Sequence, residues 1–519
     1  MTSIKRRQFL QNSLAASGLL AAPAIWTGRS AFGQNGQRRP NILFAISDDQ
    51  SWLHTSAYRS PFVVTPAFDH VANMGCLFSN AFCAAPQCSP NRASILTGRH
   101  IWQNREAGTH ASYFPRDLTV FPNLLEESGY FIGYTGKPWG PGNWQDSGWP
   151  RNPAGNPFNE HRYEETPHDH MSRNNYSANF KDFLEERPDD QPFFFWYGAY
   201  EPHRAYEKGI GLQSGKTLDQ VDVPEFLPDE ETVRSDLLDY SVEIEWFDHH
   251  LEVMLDQLEA AGELENTLII VTSDNGMPFP RAKANLYEYG IHEPLAVSWP
   301  AGFDSARRVH DLISFTDFAP TILEAAGITP PESMTGSSFL DVLTSNESGL
   351  VDADRTRIFS GRERHSHSRY DNLGYPCRAI RTQEYLYIRN LKPDRWPAGD
   401  PPNYHDVDGC PTKTFLLENK EDPRYREYFE WSFGKRPEEE LYDVRQDPSC
   451  LVNLAGDASH AGRCQALWQE LRTTLTAQGD PRMEDNPVFD SYPRFNRMRP
   501  QLGGFAERGE YNPKYAPDQ

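Results

Sequence analysis

Five short runs along the chain are apolar at nearly every position: residues 42–46 (ILFAI), 131–134 (FIGY), 193–197 (FFFWY), 268–271 (LIIV) and 295–297 (LAV). They are too short for helices and have no polar face. This predicts strands buried on both sides, as in parallel sheets. Amphipathic stretches separate them. The clearest, residues 243–261, places Ile244, Phe247, Leu251, Leu255 and Leu258 on one face and meets a stop at Gly262. Such alternation predicts an α/β fold with a large, mostly parallel sheet flanked by helices. Past about residue 355 the texture changes. Residues 378–390 (RAIRTQEYLYIRN) alternate like an antiparallel strand. A polar, Pro-rich stretch follows, and 440–455 (ELYDVRQDPSCLVNLA) leads to a helix over 465–478. The expected organisation is a larger α/β domain over 38–355 and a smaller α+β C-terminal subdomain over 356–519, built on an antiparallel sheet.

The first four apolar runs share a feature that periodicity alone does not require. Each is followed within a few residues by polar groups of catalytic type: Ser47-Asp48-Asp49, Gly136-Lys137, Glu201-Pro202-His203-Arg204, and Ser273-Asp274-Asn275-Gly276. In open α/β sheets, ligands bind beyond the carboxyl ends of the strands. Asp48, Asp49, Asp274 and Asn275 offer hard oxygen ligands that suit Ca²⁺ or Mg²⁺ and argue against Zn²⁺. Asp48-Asp49 alone would read as a capped turn. Between the first two runs lies residues 88–99, CSPNRASILTGR. Ser89 is a good N-cap, Pro90 fits the first turn and Gly98 fits the stop, so a short helix is expected with Cys88 at its positive end. That position favours a thiolate or a bound anion.

Net charge is −23, which argues against nucleic-acid binding and against attachment to anionic lipid. An anionic substrate would need a local cationic cluster or a metal. The N-terminus changes the picture of where the protein works. Arg6-Arg7-Gln8-Phe9-Leu10 followed by a mildly apolar stretch reads as a twin-arginine signal over residues 1–33. The stretch is too short and too polar for stable membrane insertion. The expected destination is the periplasm or the extracellular space, reached through the Tat export machinery. Seven cysteines leave at least one unpaired in an exported protein. Cys450 and Cys464 are close enough in sequence to pair.

The 88–99 segment resembles the signature of the type I, formylglycine-dependent sulfatases of the alkaline phosphatase superfamily: Cys88, Pro90 and Arg92, then Leu96-Thr97-Gly98-Arg99, with Asn91 where the family usually has a small residue. The likeness runs from Pro40-Asn41-Ile42 to the LYDVRQDPSCLVNLA segment. SDNGMPFP, NLY, EPHR and YPCRAIR are most similar to the heparan N-sulfatase (sulfamidase) branch. The resemblance implies that a formylglycine-generating enzyme oxidises Cys88 to formylglycine. It also implies that Asp48, Asp49, Asp274 and Asn275, together with residue 88, hold Ca²⁺ (Mg²⁺ being possible). Lys137 and Lys283 would bind sulfate oxygens, with Arg92 catalytic beside them, and His203 would protonate the leaving group. The substrate it implies is a sulfated saccharide, cleaved at sulfate esters or sulfamates. His365, His367 and Arg369, just ahead of YPCRAIR, are candidate substrate contacts, although the alternation of His with Ser reads equally well as a polar loop. Two departures stand out. Trp139 replaces the histidine many relatives carry two residues after the lysine, with His100 or His110 as substitutes, and His292 stands where many have arginine. A phosphonate or phosphate ester hydrolase of the same superfamily and a non-catalytic glycan-binding homologue are the competing readings.

Overall fold

The computed structural model of the protein describes residues 38–303 and 306–495; the twin-arginine stretch lies outside them. Nine strands form the main sheet: β1 (Asn41–Ser47), β2 (Cys76–Phe82), β3 (Phe131–Gly136), β4 (Asn156–Pro157), β5 (Phe193–Gly198), β6 (Thr267–Ser273), β7 (His292–Ser298), β8 (Arg307–Val309) and β9 (Ile313–Ser314). Their order is β4-β3-β5-β1-β6-β7-β2-β8, with β9 beside β2. The apolar runs mark central strands because both faces are covered. In β1, Ile42, Phe44 and Ile46 belong to one hydrophobic cluster, and Leu43 and Ala45 to another on the opposite face. The first face packs against the helices Cys88–Thr97, Phe121–Glu127 and Phe318–Ala325. The second packs against Pro66–Met74, Tyr176–Glu186 and Glu231–Ala260. The last of these starts a dozen residues earlier than its clearest amphipathic stretch, since its N-terminal part packs on a separate cluster around Tyr240 and Phe279.

One strand expectation is corrected. Residues 295–297 form part of β7, but β7 runs antiparallel to both neighbours. The chain leaves β6 and turns back at the same sheet edge, without the long helical crossover that a parallel return needs. Burial on both faces gives an apolar run in either direction, so the pattern could not reveal polarity. The apolar runs also passed over β2, whose alternation is broken at Ser79-Asn80, where the register against β7 shifts between Phe78 and Ala81.

The second sheet is antiparallel, β10 (Arg357–Arg362), β11 (Cys377–Thr382), β12 (Tyr385–Asn390) and β13 (Glu439–Asp443), in that order. The single alternating segment expected over 378–390 is a hairpin that turns after Thr382. One face of this sheet joins the main core through Ala379, Leu386 and Ile388. The other is covered by the helix Ala461–Ala477 through Leu467, Leu471 and Leu475. Cys450 and Cys464 do not pair, because one lies in the main core and the other on that outer helix.

A buried ion pair ties the two sheets together. Arg381 of β11 donates from Nε to Glu288 Oε1 (2.7 Å) and from Nη2 to Oε2 (3.2 Å), just ahead of β7. Burial opposes ionisation of Glu288, but Arg381 and His292 outweigh it and hold its pKa from the ordinary 4.5 down to about 2. A carboxyl with a depressed pKa stabilises the fold above its unfolded value, and that contribution disappears as pH falls from about 4.5 toward 2. Its size is about 3 kcal/mol. Glu288→Gln should therefore be less stable by roughly that amount at pH 7, and the gap from wild type should close as denaturation is repeated at falling pH. A gap independent of pH would show that packing, not charge, joins the sheets.

Candidate active site

The strand register sets the site. Ser47 pairs with Ser273, Ile46 with Gly198, and Gly136 with Gly198, so β1, β3, β5 and β6 end level. Asp48, Lys137, Glu201 and Asp274 therefore leave the sheet at one edge. Gly136 and Gly198 allow the ends of β3 and β5 to touch: a Cβ on Gly198 would lie 1.9 Å from Lys137 O, and one on Gly136 2.0 Å from Gly198 O.

The helix Cys88–Thr97 points its N-terminus at this edge. Gln87, not Ser89, is the N-cap residue, and Cys88 is the first helical residue. The Ser89 hydroxyl is used elsewhere, accepting from Ala111 N (3.1 Å), while its carbonyl accepts from Trp139 Nε1 (3.0 Å). Gly98 ends the helix in the left-handed region. The expectation of a thiolate at Cys88 is corrected. Burial first, then the Asp48 and Asp274 charges, push the thiol above its ordinary range against the pull of Lys137 and Lys283. As a cysteine, residue 88 is a protonated, poor nucleophile at neutral pH.

Of the oxygen donors expected to hold a metal, Asp48 and Asp274 meet at Cys88, whereas the Asp49 carboxylate groups with His203 and Asp408 and joins the first set through hydrogen bonds. Asp48, Cys88 and Asp274 offer ligand atoms within 4.8 Å of one another. Asp49 N donates to Asp274 Oδ1 (3.0 Å), and Asn275 Nδ2 donates to Asp49 Oδ1 (2.7 Å). Asp48 Oδ1 and Asn275 Oδ1 are buried with no hydrogen-bond donor. Buried acceptors left unsatisfied beside three carboxylates fit a hard cation with oxygen ligands.

Fixed cations offset the same carboxylates. Lys137 Nζ donates to Asp48, and Lys283 Nζ to Asp49 Oδ2 (2.6 Å). Burial would raise the Asp48 pKa, but Lys137 leads the nearby cations in holding it well below the carboxylate range. Burial and the Asp48 charge lift Asp274 to about 6 against Arg92. Arg92 Nε donates to Asp274 Oδ2 (2.7 Å), and its Nη1 to Lys137 O (2.6 Å). His203 Nδ1 lies 2.7 Å from Arg204 O, a carbonyl that can only accept, so Nδ1 donates there and Nε2, 3.9 Å from Asp49 Oδ2, is left to face the site and to carry a second, transferable proton.

The chemistry-bearing residues from the C-terminal part divide. His365 packs edge-on against His110 (4.6 Å between ring centroids), and burial lowers the pKa of His365 and of His367 to about 3. Both lie in the irregular segment that follows β10, as a loop reading expects, but their side chains are buried. Arg369 is occupied internally by Asp406 (2.7 Å) and by the carbonyls of Trp396 and Pro397. Of the candidate substitutes for the missing histidine, His100 is stacked on Trp102 away from the cluster, whereas His110 feels the charges of both Lys137 and Lys283. Trp139 buttresses the first turn of the Cys88 helix, and His292 is sandwiched between Trp52 and Phe82.

Two contributors were missed in the sequence. Asp408 lies 3.1 Å from Lys283 Nζ and groups with Asp49 and His203. It arrives from a Pro-rich loop with no local signal. Asn91 donates to Asp274 O (2.5 Å) and accepts from Ala84 N (2.9 Å), so the departure from the signature clamps the Cys88 helix to the end of β6.

A helix N-terminus, two buried lysines and a hard-cation donor set at one sheet edge define a hydrolase site for a tetrahedral oxyanion. The chain belongs to the sulfatase family, whose model matches residues 40–328, and residues 281–407 match the model for the C-terminal part of N-sulphoglucosamine sulphohydrolase. It is thus a hydrolase of the sulfatase class. It is 28% identical to an ulvan-active sulfatase of Formosa agariphila over 85% of this chain and 76% of that one. It is 28% identical to the N-sulphoglucosamine sulphohydrolase of Homo sapiens over 86% and 91%. Among solved structures, one in complex with its substrate D-glucosamine-2-N,6-O-disulfate has the same fold, with a TM-score of 0.63 at 20% identity, over 87% of this chain and 99% of that one.

Because Arg92 and Asp274 are both fully enclosed, Arg92→Ala strands a carboxylate among carboxylates. It should cost about 3–5 kcal/mol in urea denaturation, and Arg92→Lys less. A midpoint unmoved by Arg92→Ala would mean that Asp274 is neutralised by some other group.

Proposed function

We propose that this sulfatase removes sulfate from esters or sulfamates of a sulfated carbohydrate, of N-sulfoglucosamine type or from an algal polysaccharide, using formylglycine made from Cys88. The observation that carries this reading is the contradiction at residue 88. It lies where a helix N-terminus, the charges of both lysines and the Asp48 and Asp274 carboxylates converge, yet burial pushes its thiol above the range in which a cysteine is a good nucleophile. A hydrated aldehyde there supplies one hydroxyl to attack sulfur and a second to expel sulfate. The family resemblance points to the same conversion by a formylglycine-generating enzyme. The relatives' names point to sulfated glycans as substrates.

Asp48, Asp49, Asp274 and Asn275 would hold Ca²⁺, with Mg²⁺ the alternative, and that cation would supply Lewis-acid polarisation of a sulfate oxygen. The chain's own groups do the rest. Lys137 and Lys283 bind the remaining sulfate oxygens, Arg92 fixes Asp274 and the Lys137 backbone, and His203 Nε2 delivers a proton to the leaving oxygen or nitrogen. The leaving sugar fits a cleft of about 550 Å³ that His203 borders with Asn159, Arg162, His170, Asn174 and Tyr200. Residues 38–355 form the catalytic domain in this reading. Residues 356–519 complete the pocket through Asp408, His365 and His367. Export by the Tat machinery to the periplasm or the extracellular space follows from the N-terminal pattern. No helix among the described residues is long and apolar enough to cross a membrane.

Protein co-expressed with a formylglycine-generating enzyme should show the aldehyde at residue 88 by peptide mass spectrometry, and Cys88→Ala should be inactive. Activity from protein whose residue 88 is wholly unmodified cysteine would overturn the nucleophile. Chelation should abolish turnover, and Ca²⁺ should restore it better than Zn²⁺; sulfate release that persists in an Asp274→Ala variant after exhaustive chelation would remove the metal from the scheme. General acid catalysis contributes about 10²–10⁴-fold, and a sugar needs it far more than an activated phenol does. His203→Ala should therefore lose that much on a sulfated sugar and far less on an activated aryl sulfate; equal losses would assign His203 to binding or structure.

A further inference from the structure

Arg494 carries a guanidinium that is largely enclosed and has no counterion among the described residues. Its Nε and Nη1 are enclosed with no hydrogen-bond partner, and no carboxylate lies within ion-pair distance of it among the described residues. The carboxylate whose charge it feels, Asp406, is already shared by Arg362 (2.9 Å) and Arg369 (2.7 Å). Burial and the neighbouring Arg364 lower its pKa only to about 9, so it stays charged at neutral pH. Removing a guanidinium from water beside a second guanidinium is strongly unfavourable unless an anion shares the place. A chain with net charge −23 has carboxylates in excess, and no described one is paired with Arg494.

The surroundings are built and lie next to the active site. Arg364 donates to the carbonyls of Tyr492 (2.5 Å) and Pro493 (2.9 Å), which fixes the segment bearing Arg494. Phe495 N donates to Ala111 O (2.8 Å), and Ala111 N donates to Ser89 Oγ (3.1 Å). The segment is therefore two hydrogen bonds from the residue that follows Cys88. His110, His365 and His367 each feel the Arg494 charge, and His110 and His365 also feel that of Lys283. These histidines are neutral, so each offers hydrogen bonding without adding charge. A run of groups thus leads from the lysines at residue 88 to a guanidinium with no partner among the described residues.

We propose that Arg494, with His110, His365 and His367 around it, binds a second oxyanion of the saccharide, a carboxylate or a sulfate that is not cleaved, while the scissile group sits at residue 88. This rests on the assignment of residue 88 to the scissile sulfate. It makes the preferred substrate a multiply anionic sugar, and it gives Arg494 a role in selecting substrate, not in the bond-breaking step.

The test uses substrate pairs that differ by one anionic group: N-sulfoglucosamine with and without a 6-O-sulfate, and ulvan disaccharides with the uronate carboxyl intact or reduced. The wild type should prefer the richer anion in at least one pair. Arg494→Gln should reduce that preference in kcat/KM about 10- to 100-fold, the worth of a charge-assisted hydrogen bond, chiefly through KM, and Arg494→Lys should recover part of it. Which pair responds identifies sulfate or carboxylate as the second group. Arg494→Gln should also hold or raise Tm, because it deletes an uncompensated buried charge. A lowered Tm with equal losses within each pair would make Arg494 a structural residue, and no preference in either pair would overturn the proposal. If the wild type releases no sulfate from any sugar, it is the assignment of residue 88 that fails. Calorimetric titration of Cys88→Ala and of Cys88→Ala/Arg494→Gln with the same pairs then still decides Arg494, equal affinities counting against it.

Discussion

Three carboxylates, two lysines and an arginine are buried together at one edge of the main sheet, and none could be buried there alone. Their mutual neutralisation is the constraint on which the site depends. It requires four strands to end level and a helix to arrive from the side. It also requires the backbone of Lys137 to approach closely enough to receive Arg92. Removing any one charge leaves its partners in a medium where they are costly. The arrangement of these groups and the stability of this sheet edge are for that reason one problem, and two buried oxygens, Asp48 Oδ1 and Asn275 Oδ1, are left in it without donors.

The second sheet closes the active-site face as well as covering the core. The Glu288–Arg381 pair fixes it to the first, and its following loops bring Asp408 to Lys283 and His365 to His110. A lysine held between Asp49 and Asp408 keeps its proton, since these charges outweigh the burial that would strip it. That is the state which the sulfate-binding role proposed for it requires. The exchange of a histidine for Trp139 is likewise structural in outcome. The indole holds the carbonyl of Ser89 and so the first turn of the helix that presents residue 88. Of the two histidines that could stand in for the missing one, His110 is the one that feels the charges of both lysines.

Much of this was legible in the sequence. Runs buried on both faces, each ending in Asp, Lys, His or Asn, gave the sheet and its functional edge, because parallel strands in register end together. The segment around Cys88 gave its own helix through Pro90 and Gly98, and the sulfatase signature gave the family. Strand direction was not legible: β7 is as apolar antiparallel as it would be parallel. Nor was the N-cap, since Ser89 has the right chemistry but is claimed by Ala111 from another loop.

What only the tertiary structure decided are the properties that depend on neighbours distant in sequence. Local rules put Cys88 at the positive end of a helix and favour a thiolate; enclosure beside Asp48 and Asp274 reverses that. Arg369 and His367 look alike as polar candidates, yet Asp406 consumes the first and the second lines the surroundings of Arg494. Asp408 and Arg494 carry no local signature at all. Propensity and periodicity act over a few residues along the chain and fix what each segment becomes. Charge state and access are set through space by whichever groups the fold brings within a few ångströms, and these come from residues hundreds of positions apart.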